Sequence, residues 1–238
     1  NSSSAQTIAT TIKSDTETTA ESVTLTETGV NTGIFSGSIA FEVASSFTNG
    51  DSKLQVKKGD KLTGTYIDPA NDFGNKDTLT DVAFYDVSLK SGEISTNTTW
   101  SKSDSPFLVT GDITVTSGDT LTIEAGSEVR FTPLLDDQSG GNDANRGELY
   151  VYGALIANGT ASDTIVFTSN AESPSSGDWY GIYLKDNQAG GSFKYNRIEY
   201  ATYGIRSYNL YGSTNDTLQI SNNRIHHSGS GLYIQESN

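Results

Sequence analysis

Between Asp68 and Asp77 the chain reads DPANDFGNKD, which sets Asp68, Asn71, Asp72, Asn75 and Asp77 within ten positions. Calcium takes about six to eight oxygen ligands at roughly 2.3–2.6 Å, and closely spaced Asp and Asn with a glycine to turn the backbone supply such a set. The spacing is not that of an EF-hand. The same residues suit an Asx-rich turn between two strands, so both readings stay open, and calcium is the cofactor the first implies. A second acidic stretch holds Asp136, Asp137, Asn142, Asp143 and Glu148, with Gly140 and Gly141 among them. Those glycines suggest a mobile loop, where calcium would be peripheral.

Catalysis on a polysaccharide asks for more. A glycosidase needs two carboxylates flanking a cleft, and a β-helix lyase needs carboxylates holding calcium beside a Lys or Arg base. Arg197 and Arg224 stand at equivalent points of a repeat, with Glu199 beside the first, but His226 occupies the position equivalent to Glu199. The two arginines therefore read as an outward-facing ladder, and no residue is assigned a catalytic role. His226 and His227 could form a ligand pair, yet neighbours on a strand point to opposite faces, which would separate them. Tyr180, Tyr183, Tyr195, Tyr200, Tyr203, Tyr208, Tyr211 and Tyr233 are more suggestive. Exposed Tyr on a rigid face is good contact surface for a glycan or a partner protein. Tyr also fits a pleated surface, so about half are expected as packing residues.

The elements that hold these side chains show themselves by repetition. Asn196-Arg197-Ile198 returns as Asn223-Arg224-Ile225, and Gly204-Ile205 returns as Gly231-Leu232, both 27 residues on (223 − 196 and 231 − 204). One offset shared by five positions marks a structural unit used twice, a rung that buries its apolar residues only when stacked on another. Asn196 and Asn223 then read as a turn ladder whose amides bond from coil to coil. Upstream, Ile113 and Val115, Leu121 and Ile123, and Val129 and Phe131 alternate with polar residues, the period of a strand with one buried face. Leu149, Val151, Leu155, Ile165, Phe167, Trp179, Ile182 and Leu184 continue the series. Leu134 to Gly147 reads as a loop bulging from one coil.

Two resemblances follow. The stretches GDITVTSGDTLTIEAGSEVRF (111–131) and GALIANGTASDTIVFTS (153–169), followed by GDWYGI (177–182), resemble the opening coils of right-handed parallel β-helix domains of secreted bacterial and archaeal surface proteins. That fold hosts lyases, hydrolases, adhesins and structural coats, so the likeness implies architecture rather than activity. Nearer the N-terminus, LTETGVNTGIFSG (25–37), KGDKL (58–62) and YID (66–68) resemble a repeat module of large archaeal and bacterial cell-surface proteins. It implies an extracellular, non-catalytic spacer or assembly module.

Composition agrees with an exported protein. The 238 residues carry 15 Lys+Arg against 29 Asp+Glu, a formal net charge of −14, which argues against nucleic acid and anionic membranes as partners. There is no cysteine, hence no disulfide and no thiolate metal site. No apolar run approaches the length of a membrane-spanning helix. Asn1, Asn97, Asn158 and Asn215 head Asn-x-Ser/Thr acceptor sites for glycosylation.

The expected fold is all-β. Residues 1–13 form a strand of their own domain or an arm adding to a neighbouring copy; 14–88 an antiparallel, Ig-like β-sandwich; 89–106 a linker and cap containing Trp100; and 107–238 the right-handed parallel β-helix. The final coil, with Leu232 and Ile234, has no evident cap, so either the chain continues or another subunit covers it. The expected function is that of an extracellular structural subunit of a surface layer, filament or adhesin. It would assemble with copies of itself or other surface proteins by strand addition and end-to-end contacts. A β-helix carbohydrate-active enzyme and a glycan- or ice-binding module are the alternatives.

Overall fold

The computed structural model describes residues 3–69, 73–185, 189–208 and 218–235. The chain divides into two compact units, Asn1–Asp86 and Val87–Asn238, and the fold is all-β as the alternation implies.

In the first unit, strands Thr7–Ser14 (β1), Glu21–Glu27 (β2), Phe35–Ser36 (β3), Lys61–Asp68 (β6) and Asp77–Phe84 (β7) make an antiparallel sheet in the order β3-β2-β1-β6-β7. β1 pairs with β2 through Thr7 to Ile12 and with β6 through Thr11 to Ser14. Both of its edges meet partners, so this segment is an interior strand of its own sheet. That corrects the reading of it as an arm for a neighbouring copy, because the hydrogen bonds such an arm would offer are largely used at home.

Ala40–Val43 (β4) and Lys53–Val56 (β5) form a small second layer, paired in parallel. Its Leu54 and Val56 pack with Leu62 of β6, and Ile12, Ile39 and Tyr85 close around them. So small an apolar core is supplemented by buried polar bonds. Ser14 Oγ donates to the Gln55 carbonyl at 2.6 Å and accepts from Glu17 N, while Glu17 Oε2 accepts from Gln55 N at 2.9 Å. After β2, Glu27 folds its carboxylate over the following loop and accepts from Gly33 N at 2.9 Å and Gln6 N at 3.2 Å. Those bonds, Gly33 foremost, hold its carboxyl below the usual range. Gly33 has φ +67, a left-handed turn that glycine takes without strain.

The second unit is a parallel β-helix of three sheets. Residues 89–106, expected as linker and cap, instead supply its first coil. Ser88–Ile94 (β8) pairs in parallel with Phe107–Val115 (β10), and Thr98–Trp100 (β9) pairs with Thr120–Ile123 (β11). A first coil has a neighbour on one side only, so its Ser, Thr and Asn content disguises a strand as a linker. Trp100 is 3 % exposed and stacks on Phe107 with ring centroids 4.9 Å apart.

The first sheet runs from the start of β10 through Glu128–Phe131 (β12), Ile165–Ser169 (β15), Asn196–Glu199 (β18) and Arg224–His226 (β21). The second runs from the end of β10 through Glu148–Val151 (β13), Trp179–Lys185 (β16), Ala201–Tyr208 (β19) and Ser230–Gln235 (β22). The third runs from β9 and β11 through Ala154–Asn158 (β14), Gly190–Lys194 (β17) and Gln219–Ser221 (β20).

Each sheet sends an apolar ladder into one core. Phe107, Val129, Phe167, Ile198 and Ile225 stack in register on the first sheet. Ile113, Leu149, Ile182 and Ile205 do so on the second, and Leu232 continues that column on the last coil, where it is 48 % exposed. At about 1.5–3 kcal/mol for each large side chain fully buried, these ladders are the main favourable term of the unit. The 27-residue repeat is seen directly: Arg197 lies beside Arg224 and Ile205 beside Leu232. Its turns repeat as well. Tyr195 and Asn222 (φ 50 and 55), then Tyr200 and His227 (φ 66 and 53), all take the left-handed conformation.

Candidate functional site

The second sheet positions most of the polar and aromatic side chains that could meet a ligand. Its inward positions hold Leu149, Ile182 and Ile205, so the alternate ones point outward. One outward column runs Thr114, Tyr150, Tyr183, Arg206 and Tyr233 across five coils, each residue in register with the next. Arg206 is its centre. The guanidinium carbon lies 4.6 Å from the ring centre of Tyr183, 5.2 Å from that of Tyr203 and 5.7 Å from that of Tyr233. Its Nη1 donates to the Tyr180 hydroxyl at 2.6 Å. Lys185 Nζ donates to the Tyr150 hydroxyl at 2.7 Å.

Of the seven tyrosines of the predicted cluster among the described residues, Tyr183 is buried, Tyr233 is exposed, and Tyr180, Tyr195, Tyr200, Tyr203 and Tyr208 lie between. Tyr150 and Tyr183 are 7 % and 3 % exposed and serve as the floor, while Tyr180 and Tyr203 are half-buried and Tyr233 is 40 % exposed. Burial lifts the hydroxyls of Tyr150, Tyr180 and Tyr183 above the ordinary tyrosine value, so all three remain donors at neutral pH. Tyr211 lies outside the described residues. Gly181 interrupts the face by design of the backbone: at φ +137 it sits against the Tyr203 carbonyl, where a Cβ would collide.

Beside this column lies a carboxylate pair. Asp112 and Glu148 are 4 % and 0 % exposed, and Glu148 N donates to Asp112 Oδ1 at 3.0 Å. The loop 134–147 folds over them. Glu148 Oε1 accepts from Asn142 N at 2.5 Å, and Asp136 accepts from the backbone of Asp112, Gln138 and Gly140. Burial pushes Glu148 up to about 7 and Asp112 up to about 6, with the neighbouring Asp136 adding to the second shift. The expectation of a mobile glycine loop is therefore replaced by a clasp. Gly141 (φ +60) lies so near both carboxylates that any side chain there would strike them. Sequence reasoning missed Asp112, Tyr150, Lys185 and Arg206. Asp112 was detectable only through register, which puts it one residue before Ile113, the partner of Leu149.

A different cluster forms between the last two coils of the first sheet. Glu199 is 7 % exposed; its Oε1 accepts from Thr168 Oγ1 at 3.0 Å and lies 3.8 Å from Arg197 Nε. Its Oε2 lies 3.2 Å from His226 Nε2. His226 and His227 converge, with their Nδ1 atoms 2.6 Å apart. This overturns the expectation that the rings point apart. Only His226 belongs to the strand, and the left-handed turn at His227 swings its ring back. Burial holds His226 below the ordinary histidine value, helped by Arg224 and opposed by Glu199. Arg197 and Arg224 are both exposed, as an outward ladder should be.

The 68–77 loop joins β6 to β7, and Asp68 and Asp77 are directly opposed as the last pair of that hairpin. Asp77 Oδ1 accepts from the neighbouring Thr78 N at 2.8 Å. Asn71 and Asp72 lie outside the described residues, and Asn75 falls in the hairpin connection. Among the glycosylation acceptors Asn97 and Asn158 are exposed, whereas Asn1 and Asn215 lie outside the described residues.

A family model described as a pectate-lyase like beta helix domain matches residues 92–216. That span begins in β8, within the first coil. No curated protein and no solved structure matches the chain. With its three ladders of parallel strands and a family match over more than half its length, the chain belongs to the pectate-lyase-like β-helix domain family.

Proposed function

We propose that this chain is an extracellular structural module of a cell-surface layer, filament or adhesin, and that it meets surface glycans through the tyrosine–arginine face of its second sheet. Arg206 and the exposed Tyr233, with half-buried Tyr180 and Tyr203 beside them on a floor of buried Tyr150 and Tyr183, support this reading above all. Sugar rings pack on aromatic faces, and guanidinium, ammonium and phenol groups donate to hydroxyls and uronate carboxylates. Because each side chain stands on a hydrogen-bonded coil, the array meets a ligand with little loss of conformational freedom. Arg206 and Lys185 supply this face with two cationic donors for acidic glycans. Contact with copies of itself has a separate support. Among the described strands β7 pairs only with β6, and its exposed Leu79 and Val82 lie on a strand with one open edge.

The test is a glycan array probed with the purified chain. Binding to acidic polysaccharides should fall at least about tenfold in the Arg206→Ala, Tyr233→Ala double variant, the loss expected of a central anchor. A wild-type chain that binds no glycan would remove the recognition half of the proposal.

One observation favours a second reading, a β-helix carbohydrate-active enzyme. Glu148, pushed up to about 7 beside Asp112 at about 6, is the kind of carboxyl that keeps a proton on about half the molecules at neutral pH and so can serve as a general acid. It would require the loop 134–147 to lift. Release of new reducing ends from a polysaccharide, abolished by Glu148→Gln, would decide for it.

A further inference from the structure

Glu199, His226 and His227 each present a ligand atom, all within 4.8 Å of one another, and among the described residues this is the group of three metal-ligating side chains so placed. Two short separations lie within it: 2.6 Å between the two Nδ1 atoms, and 3.2 Å between His226 Nε2 and Glu199 Oε2. Only the first of these is a hydrogen bond. His226 Nε2 is buried and makes no hydrogen bond, although Glu199 Oε2 lies 3.2 Å away. At 2.6 Å the two Nδ1 atoms are within hydrogen-bonding reach, one ring donating and the other accepting according to tautomer, so the two rings already face one another.

We propose that Glu199, His226 and His227 bind one divalent transition-metal ion of the zinc class, linking the last two coils. A tetrahedral zinc with bonds of about 2.0–2.1 Å holds its ligand atoms roughly 3.3 Å apart, so the present spread closes by small rotations of the two rings and the carboxylate. Two imidazoles and one carboxylate select zinc, nickel, cobalt or copper over calcium or magnesium, which prefer oxygen ligands alone.

The supporting groups are in place. Thr168 Oγ1 orients Glu199 through Oε1, leaving Oε2 toward His226. Tyr200 stacks on His227 with centroids 5.5 Å apart and planes 13° apart, fixing that ring. Glu199 comes from β18 and His226 from β21, so the ion would tie strands that are neighbours in space and 27 residues apart in the chain. His227 is exposed, which leaves the fourth position to water or to an incoming ligand. Arg197, with Nε 3.8 Å from Glu199 Oε1, opposes a cation and sets the expected affinity in the micromolar range.

The experiment is calorimetric titration of the tag-free full chain with zinc chloride, with cobalt(II) absorption reporting geometry. One equivalent should bind, cobalt should give the intense visible bands of a tetrahedral site, and calcium and magnesium should not compete. His227→Gln, an exposed change that leaves the strands intact, should weaken zinc by at least about tenfold. Glu199→Gln should do likewise, but its burial makes His227→Gln the deciding variant. Absence of zinc binding in the micromolar range would overturn the proposal. So would binding that His227→Gln leaves unchanged.

Discussion

Asn196 donates through its side-chain amide to Oδ1 of Asn223 at 2.9 Å, and the same oxygen accepts from Asn196 N at 2.8 Å. Each amide also donates to a carbonyl of the third sheet, Asn196 to Ala157 and Asn223 to Phe193. The pair thus joins two coils and two sheets at one corner. Replacing Asn196, 1 % exposed, with Ala leaves the Ala157 carbonyl without this donor. The expected loss is about 2–3 kcal/mol, read as a lower denaturation midpoint of the β-helix in urea. An unchanged midpoint would mean that the ladder is incidental.

Phe131 and Trp179 stack face to face with centroids 3.9 Å apart and planes 8° apart, both fully buried. Phe131→Ala opens a cavity against a large ring and should cost about 3–5 kcal/mol. Trp179 fluorescence should shift to the red in the folded variant as water reaches the indole. Phe131→Leu should cost much less.

The clasp of loop 134–147 gives the stability of the β-helix a pH dependence of definite sign. Folded Glu148 and Asp112 bind protons up to about 7 and about 6, against ordinary values of 4.5 and 3.8. Below the ordinary values both carboxyls are protonated, folded or unfolded, and their stabilisation is fully present. As pH rises toward 7 the unfolded chain releases protons that the folded chain keeps, so stability falls. The expected fall, both groups together, is on the order of 5 kcal/mol between about pH 4 and pH 7. Thermal melts across that window should show it, and Glu148→Gln should flatten the slope.

The interior place of β1 makes a prediction about truncation. Removing residues 1–14 deletes a strand that pairs β2 on one side and β6 on the other. The first unit should then lose its cooperative unfolding transition while the β-helix keeps its own, as calorimetry of the truncated chain would reveal. A first unit that melts as before would restore the reading of these residues as a detachable arm.

The all-β class and the stacking of coils were legible because they follow from short-range pattern. Alternation at Ile113 and Val115, and the 27-residue return of Asn196 and Gly204, each have one structural solution. What stayed hidden depends on register between distant strands or on a single backbone angle. Asp112 meets Glu148 across 36 residues, and Arg206 meets Tyr183 only because the coil between them has that length. His226 and His227 look divergent until the left-handed turn at His227 is seen, since strand geometry alone sends neighbours apart. The first coil, Ser88 to Trp100, resembled a linker because an end coil carries more polar residues than those inside the stack.

The most direct test of the recognition claim is to add fluorescently labelled wild-type chain and the Arg206→Ala, Tyr233→Ala variant to isolated cell envelopes of the source organism. The account predicts that the wild type decorates the envelopes and is displaced by free acidic glycan, while the variant, melting at the same temperature, stays in solution. Equal decoration by both chains, or none by either, would contradict it.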